Sequence, residues 1–126
     1  MATNPKNKVS SNPSKQRKAY FQGPLHAKKR TMRAHVADDL MEKFDIWSVR
    51  VHKGDTVKIM RGGYAGHTAK VTHVDIKRRV IFIEKVTSVK SDGKETARPI
   101  HPSNVLVTKL DLTDPLRKKQ LEGKAK

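Results

Sequence analysis

Between Lys53 and His67 the chain passes through Arg61, Gly62, Gly63, Tyr64, Ala65 and Gly66, three glycines set around one tyrosine. Glycines bare the backbone, so a sugar-phosphate chain can approach closely, with Arg61 to neutralise a phosphate and Tyr64 to stack on a base. A second reading stays open on these residues alone: a glycine-rich hairpin whose turn needs positive φ angles. The glycines do not continue into Gly-Lys-Ser or Gly-Lys-Thr, so the stretch is a poor match to an ATPase phosphate loop. Other chemistry is sparse. The six histidines, His26, His35, His52, His67, His73 and His101, include no pair at a zinc-binding helical spacing, and no metal site is expected. The absence of cysteine excludes disulfides, thiolate zinc sites and cysteine nucleophiles. Asp55, Asp75 and Glu84 form no acid-base frame and read as turn or surface residues answering nearby Lys and Arg. The expectation is a binding protein without enzyme activity, cofactor or small-molecule substrate.

Charge names the class of partner. The 126 residues hold 28 Lys and Arg against 12 Asp and Glu, a formal charge of +16. Neutralising phosphates with Lys and Arg releases counterions and supplies most non-specific nucleic-acid affinity. An anionic membrane would satisfy the same charge. However, the longest purely aliphatic or aromatic run is Val80-Ile81-Phe82-Ile83, far short of a spanning helix, and the basic N-terminus has no apolar h-region. Nucleic acid is therefore the expected partner, inside the cell.

The cations are unevenly spread. Residues 1–34 carry nine (Lys6, Lys8, Lys15, Arg17, Lys18, Lys28, Lys29, Arg30 and Arg33) and no acid, with Pro5, Pro13, Gly23 and Pro24 as helix breakers. Too few apolar residues lie there to repay the entropy of ordering, so an extended arm that orders on its partner is expected. In residues 35–52, Ala37, Leu40, Met41 and Phe44 form one apolar stripe, which predicts a short helix over about residues 35–44. The stripe either docks on the protein's own core or serves as an interaction face.

From residue 53 to 110 the period becomes that of strands. Thr56 to Met60 alternates, and Ala69 to Ile76 alternates with a phase slip between Val71 and Val74 that predicts a bulge. Arg79 to Val89 reads as one or two strands, Asp92-Gly93 as a tight turn, Glu95 to Ile100 as a returning strand limited by Pro99, and Val105 to Leu110 as the last. Short strands joined by tight turns argue for a mainly β protein, a small antiparallel barrel. In residues 111–126, Asp114 and Pro115 start a basic helix that Gly123 is expected to stop.

The order Gly54, Asp55, Val57, Ile59, Gly62, Gly66, Lys70 and Val71 resembles the KOW motif, with Ala69 where the motif often has a third glycine. The arm from Ser14 to His26, the segment Ile100-His101-Pro102-Ser103-Asn104-Val105 and the basic run Leu116-Arg117-Lys118-Lys119 resemble the KOW-containing large-subunit ribosomal protein family. Without the long C-terminal extension of eukaryotic members, the chain is more similar to the archaeal form. The resemblance implies an SH3-like barrel and a cytoplasmic, ribosome-bound protein. Its partners would be the 5′ domain of large-subunit rRNA and neighbouring large-subunit proteins near the exit tunnel, with a role in early assembly. Carried onto this chain, it implies RNA contacts in the barrel at Arg61, Gly62, Tyr64, Gly66, Lys70, Lys77, Arg78 and Arg79. In the arm it implies Lys15, Arg17, Lys18, Tyr20, Phe21, His26, Lys28, Lys29, Arg30 and Arg33, and elsewhere His101, Arg117, Lys118 and Lys119. For Tyr20 and Phe21, packing on the barrel is the competing role; for His101 it is capping a turn. A KOW-type transcription elongation or antitermination factor and a DNA-compacting chromatin protein are the alternatives.

Overall fold

The computed structural model describes residues 9–124. Alternation sets the sheet: β3 (Thr56–Ile59) buries Val57 and Ile59 and turns Lys58 outward, while β8 (Val105–Lys109) buries Val105 and Val107. With β4 (Thr68–Asp75) and β5 (Val80–Ile83) these strands pair antiparallel in the order β8-β3-β4-β5. The register of β4 against β5 shifts between Val71 and His73, where the sequence phase slips, so the expected bulge is present. The segment from Arg79 to Val89 resolves into β5 and β6 (Thr87–Val89), separated by Lys85 at φ 62°. The Asp92-Gly93 turn joins β6 to β7 (Glu95–Ala97) in a separate two-stranded hairpin.

Two further strands extend the sheet before residue 53. β1 (Arg33–Val36) buries Ala34 and Val36, pairs antiparallel with β2 (Ser48–Arg50) and parallel with β8, completing the order β2-β1-β8-β3-β4-β5. The sheet is therefore not closed, and the β1–β8 pair departs from the purely antiparallel expectation. The hairpin side is tied back by the Ile81–Ile100 bridge. A single apolar core runs from Met32 and Val36 through Val57 and Ile81 to Leu121, and the β6–β7 hairpin contributes no residue to it.

The expected helix is shorter than predicted. α1 (Pro13–Gln22) and α2 (Leu25–Arg30) precede it in the chain, and it forms α3 (Asp38–Phe44), because residues 33–36 are spent on β1. Its stripe docks on the protein's own core: Phe44 is buried, and Leu40 and Met41 pack against the cluster.

The arm corrects the expectation of an extended chain. Asn12 caps α1 by accepting from the Ser14 N–H at 3.0 Å, Pro13 occupies the first helical position where its missing N–H costs nothing, and no Pro or Gly interrupts residues 14–22. Neither arm helix buries a residue, which agrees with the scarcity of apolar side chains there. At the other end α4 (Pro115–Lys124) starts as predicted, with Asp114 accepting from the Leu116 N–H at 3.0 Å. It runs through Gly123 instead of stopping there.

Candidate nucleic-acid interface

The connection from β3 to β4 carries the glycine loop. Gly62 sits at φ 95°, and no atom lies within 4 Å of the position a Cβ would take at Gly62, Gly63 or Gly66. Backbone is thus open to solvent beside the exposed Arg61, the arrangement that lets a phosphate chain come close. Tyr64 departs from the expected free stacking face. Its ring is half-buried against the core, its hydroxyl donates to the Thr87 carbonyl on β6, and the Arg98 guanidinium lies 5.9 Å from its centroid. The tyrosine ties the loop to the hairpin and forms one wall of a cleft shared with Arg61, Arg98 and His101. Arg98 was missed by the sequence reading; its place beside Pro99 at the end of β7 was the available signal.

A second cluster joins the arm to the turn between β4 and β5. The Arg79 guanidinium lies 3.4 Å from the centroid of the Tyr20 ring, and Phe21 meets Tyr20 edge-on at 5.0 Å. The Tyr20 hydroxyl is 3.4 Å from His101 Nε2, and Lys28 Nζ donates to the Lys77 carbonyl at 3.5 Å. Tyr20 thus takes its packing role, while Phe21 stays 68% exposed. His101 does two things: Nδ1 accepts from the Ser103 N–H and caps the turn Pro102–Asn104, and Nε2 faces Tyr20. On the arm Lys15, Arg17, Lys18, His26, Lys29 and Arg30 are exposed, as are Lys77 and Arg78 in the turn. Arg78 is in part answered by Asp75, 3.9 Å away. Lys70 is exposed on β4.

Arg117 corrects the reading of the C-terminal run. It is buried, not outward-facing, and its Nη1 and Nη2 donate to the two carboxylate oxygens of Asp55 at 2.6 and 2.7 Å. Asp55, read as a turn or surface residue answering nearby Lys and Arg, does answer an arginine but is fully buried, and it also accepts from the His52 and Asp111 N–H groups, both at 2.9 Å. Arg117 Nη1 and Nη2 also donate to the Asp111 and Arg50 carbonyls, and its Nε is buried without a partner. The cause is helical spacing: Arg117 and Leu121, four apart on α4, share the face that docks. Gly54 belongs to the same junction, for at φ 94° a Cβ there would meet Asp111 Oδ2 at 2.5 Å. Lys118 and Lys119 remain exposed, Lys118 within 4.0 Å of Glu122. Arg33 lines a groove against α4 with Arg50 and His52.

Two titrations are shifted nearby. Partial burial of the His52 ring, and then the Arg117 guanidinium, hold its pKa below the ordinary 6.5. The Thr113 hydroxyl and N–H, both donating to the Asp111 carboxylate, hold it below 3.8. Among the described residues no three His, Asp or Glu side chains gather in a way that could hold a metal ion, and no helix is long and apolar enough to cross a membrane.

Residues 10–124 match the family of ribosomal proteins described as L26 eukaryotic and L24P archaeal. The chain is similar to the large ribosomal subunit protein uL24 of Methanothrix thermoacetophila, with 50% identity over 111 residues that cover 88% of this chain and 96% of that protein. It is also similar to the protein of the same name from Methanocella arvoryzae, 46% identical over 92% of this chain and 94% of that one. For the one from Saccharolobus solfataricus the identity is 46%, over 94% and 99%. A bare glycine loop, a cation-rich arm seated on the β4–β5 turn and a match across nearly the whole length agree on one conclusion: the chain belongs to the L26/L24P family of ribosomal proteins.

Proposed function

We propose that this chain is a structural constituent of the large ribosomal subunit that binds large-subunit rRNA in its 5′ domain and supports early assembly near the peptide exit tunnel. The observation that carries the reading is the near full-length match to archaeal uL24 proteins. An SH3-like KOW scaffold belongs to the same reading, supported by the bulge in β4 and by the Ile81–Ile100 bridge between β5 and the hairpin side.

Binding is electrostatic in origin. Exposed cations of the arm (Lys15, Arg17, Lys18, Lys29, Arg30) neutralise phosphates together with Arg61, Lys70, Lys77 and Arg78, and Lys118 and Lys119 add a second footing on α4. Recognition of shape and backbone dominates, since duplex RNA hides its major-groove edges; the open backbone at Gly62 and Gly66 suits that mode. The exposed Phe21 and His26 are the groups placed to meet unpaired bases. Neighbouring large-subunit proteins complete the set of partners. Crosslinking in cells followed by sequencing of the attached RNA tests the proposal: one cluster in the 5′ domain of large-subunit rRNA is expected. Scattered messenger RNA would point instead to a KOW-type elongation factor, and genomic DNA to a chromatin protein.

A further inference from the structure

Three charged side chains are buried among the described residues: Asp55, Arg79 and Arg117. Two of them neutralise each other in a forked pair. The third has no counter-charge. Arg79 is 5% exposed, its Nε, like those of Arg50 and Arg117, is buried without a hydrogen-bond partner, and the ion pairs of the described residues, Arg78–Asp75, Arg117–Asp55 and Lys118–Glu122, leave it out. Burying an unpaired charge is expensive, and an anion that pairs with it recovers that cost. The Tyr20 ring at 3.4 Å answers it only in part, because a cation–π contact covers one flat face and leaves the N–H edge of the guanidinium unspent. Cations outnumber acids around it: Lys77 and Arg78 precede it in the turn, Lys28 reaches that turn from α2, and the one carboxylate there, Asp75, faces Arg78. The backbone holds Arg79 at φ 57°, a conformation a non-glycine residue adopts at a cost.

We propose that Arg79 is the base of a phosphate-binding pocket roofed by Tyr20, built to take one phosphodiester of an RNA backbone in a forked contact. The proposal rests on the rRNA-binding reading and adds to it a single buried phosphate contact, distinct from the surface cations. It predicts an asymmetry that a structural role would not give. Removing the charge weakens RNA binding and leaves the core of the free protein no less stable, while the arm loses its guanidinium contact with Tyr20.

The test uses the full chain, Arg79→Met and the exposed control Arg78→Met, titrated with a transcript of the rRNA 5′ domain at several salt concentrations. A parallel set of thermal melts runs in chloride and in inorganic phosphate without RNA. Expected for R79M is a loss of tenfold or more in affinity, a salt slope shallower by about one phosphate, and a melting temperature at or above that of the unsubstituted chain. Phosphate should raise the melting temperature of the unsubstituted chain more than that of R79M, and R78M should lose less affinity than R79M. If R79M binds the transcript with unchanged affinity and slope, the pocket is refuted while rRNA binding stands. If R79M melts well below the unsubstituted chain or fails to fold, the charge serves the free protein and the pocket is likewise refuted. If the unsubstituted chain prefers duplex DNA to the transcript, the rRNA reading falls; equal stabilisation of both proteins by phosphate then refutes the pocket as well.

Discussion

Replacing Arg117 by Met should destabilise the protein far more than it weakens RNA binding. The side chain is 6% exposed and makes four hydrogen bonds, two of them to a carboxylate that is itself fully buried. Met fills similar space but leaves Asp55 with the His52 and Asp111 N–H groups as its only remaining partners. Breaking a buried ion pair from one side costs about 3–5 kcal/mol, because the surviving charge stays desolvated. That is a large share of the roughly 5–15 kcal/mol that holds a domain together. With about 4 °C per kcal/mol for a chain of this size, the melting temperature should fall by about 12–20 °C.

Urea unfolding followed by far-ultraviolet circular dichroism is the suitable assay, since the single tryptophan, Trp47, is already 75% exposed in the folded state. The double substitution Asp55→Asn with Arg117→Met should lose less than the two single losses added together, because no buried charge is left without its partner. The salt slope of RNA binding by the folded R117M protein should match that of the unsubstituted chain. A loss below about 1 kcal/mol would refute the interior assignment of this pair. An RNA salt slope lowered by one phosphate would return Arg117 to the interface.

Three other outcomes follow from the same geometry. Gly54→Ala should cost more than Gly62→Ala in urea titrations: both positions have positive φ, at about 1–3 kcal/mol of backbone strain, but a Cβ at Gly54 also collides with Asp111, whereas at Gly62 it enters open space. His52 takes up its proton less readily in the folded protein, so below pH 6.5 the unfolded chain binds more protons. Stability should therefore fall as pH drops from about 7 through 5, and His52→Asn should flatten that slope in melts across the range. Tyr20→Ala should release α1, so limited trypsin digestion of the free protein should cut at Arg17 and Lys18 several-fold faster than in the unsubstituted chain, whereas Phe21→Ala should leave the rate near its original value.

Local patterns were legible in the sequence, and distant partners were not. Val57 and Ile59, the slip between Val71 and Val74, and the Asp92-Gly93 turn are each set by a few neighbouring residues, and each has its counterpart in the structure. β2 has only three residues, too short to show a period, and the alternation of β1 runs straight into the helical stripe that begins at Ala37. The parallel partner of β1 lies about seventy residues away in β8, a pairing that no local rule encodes. Pro13 was misread for a different reason: proline breaks a helix from within but starts one at its first position, and Asn12 just before it was the cue. In the candidate site, Arg117, Lys118 and Lys119 look alike as a basic run. Only the four-residue spacing from Arg117 to Leu121 separates the inward residue from the outward ones.

The arm and the body are joined mostly by positive groups. α1 and α2 bury no side chain, a ten-residue helix is marginal in water, and the contacts that seat them are a guanidinium under Tyr20, a histidine at its hydroxyl and a lysine on a carbonyl. No acid of residues 1–34 softens the repulsion between the arm and the Lys77-Arg78-Arg79 turn. Salt therefore acts with opposite signs on two steps. Screening relieves like-charge repulsion and favours a seated arm in the free protein, yet it removes the counterion-release gain that drives RNA binding. Phosphates do both at once, neutralising the turn and the arm together. An acid-free arm is thus less favourable in isolation than beside a polyanion.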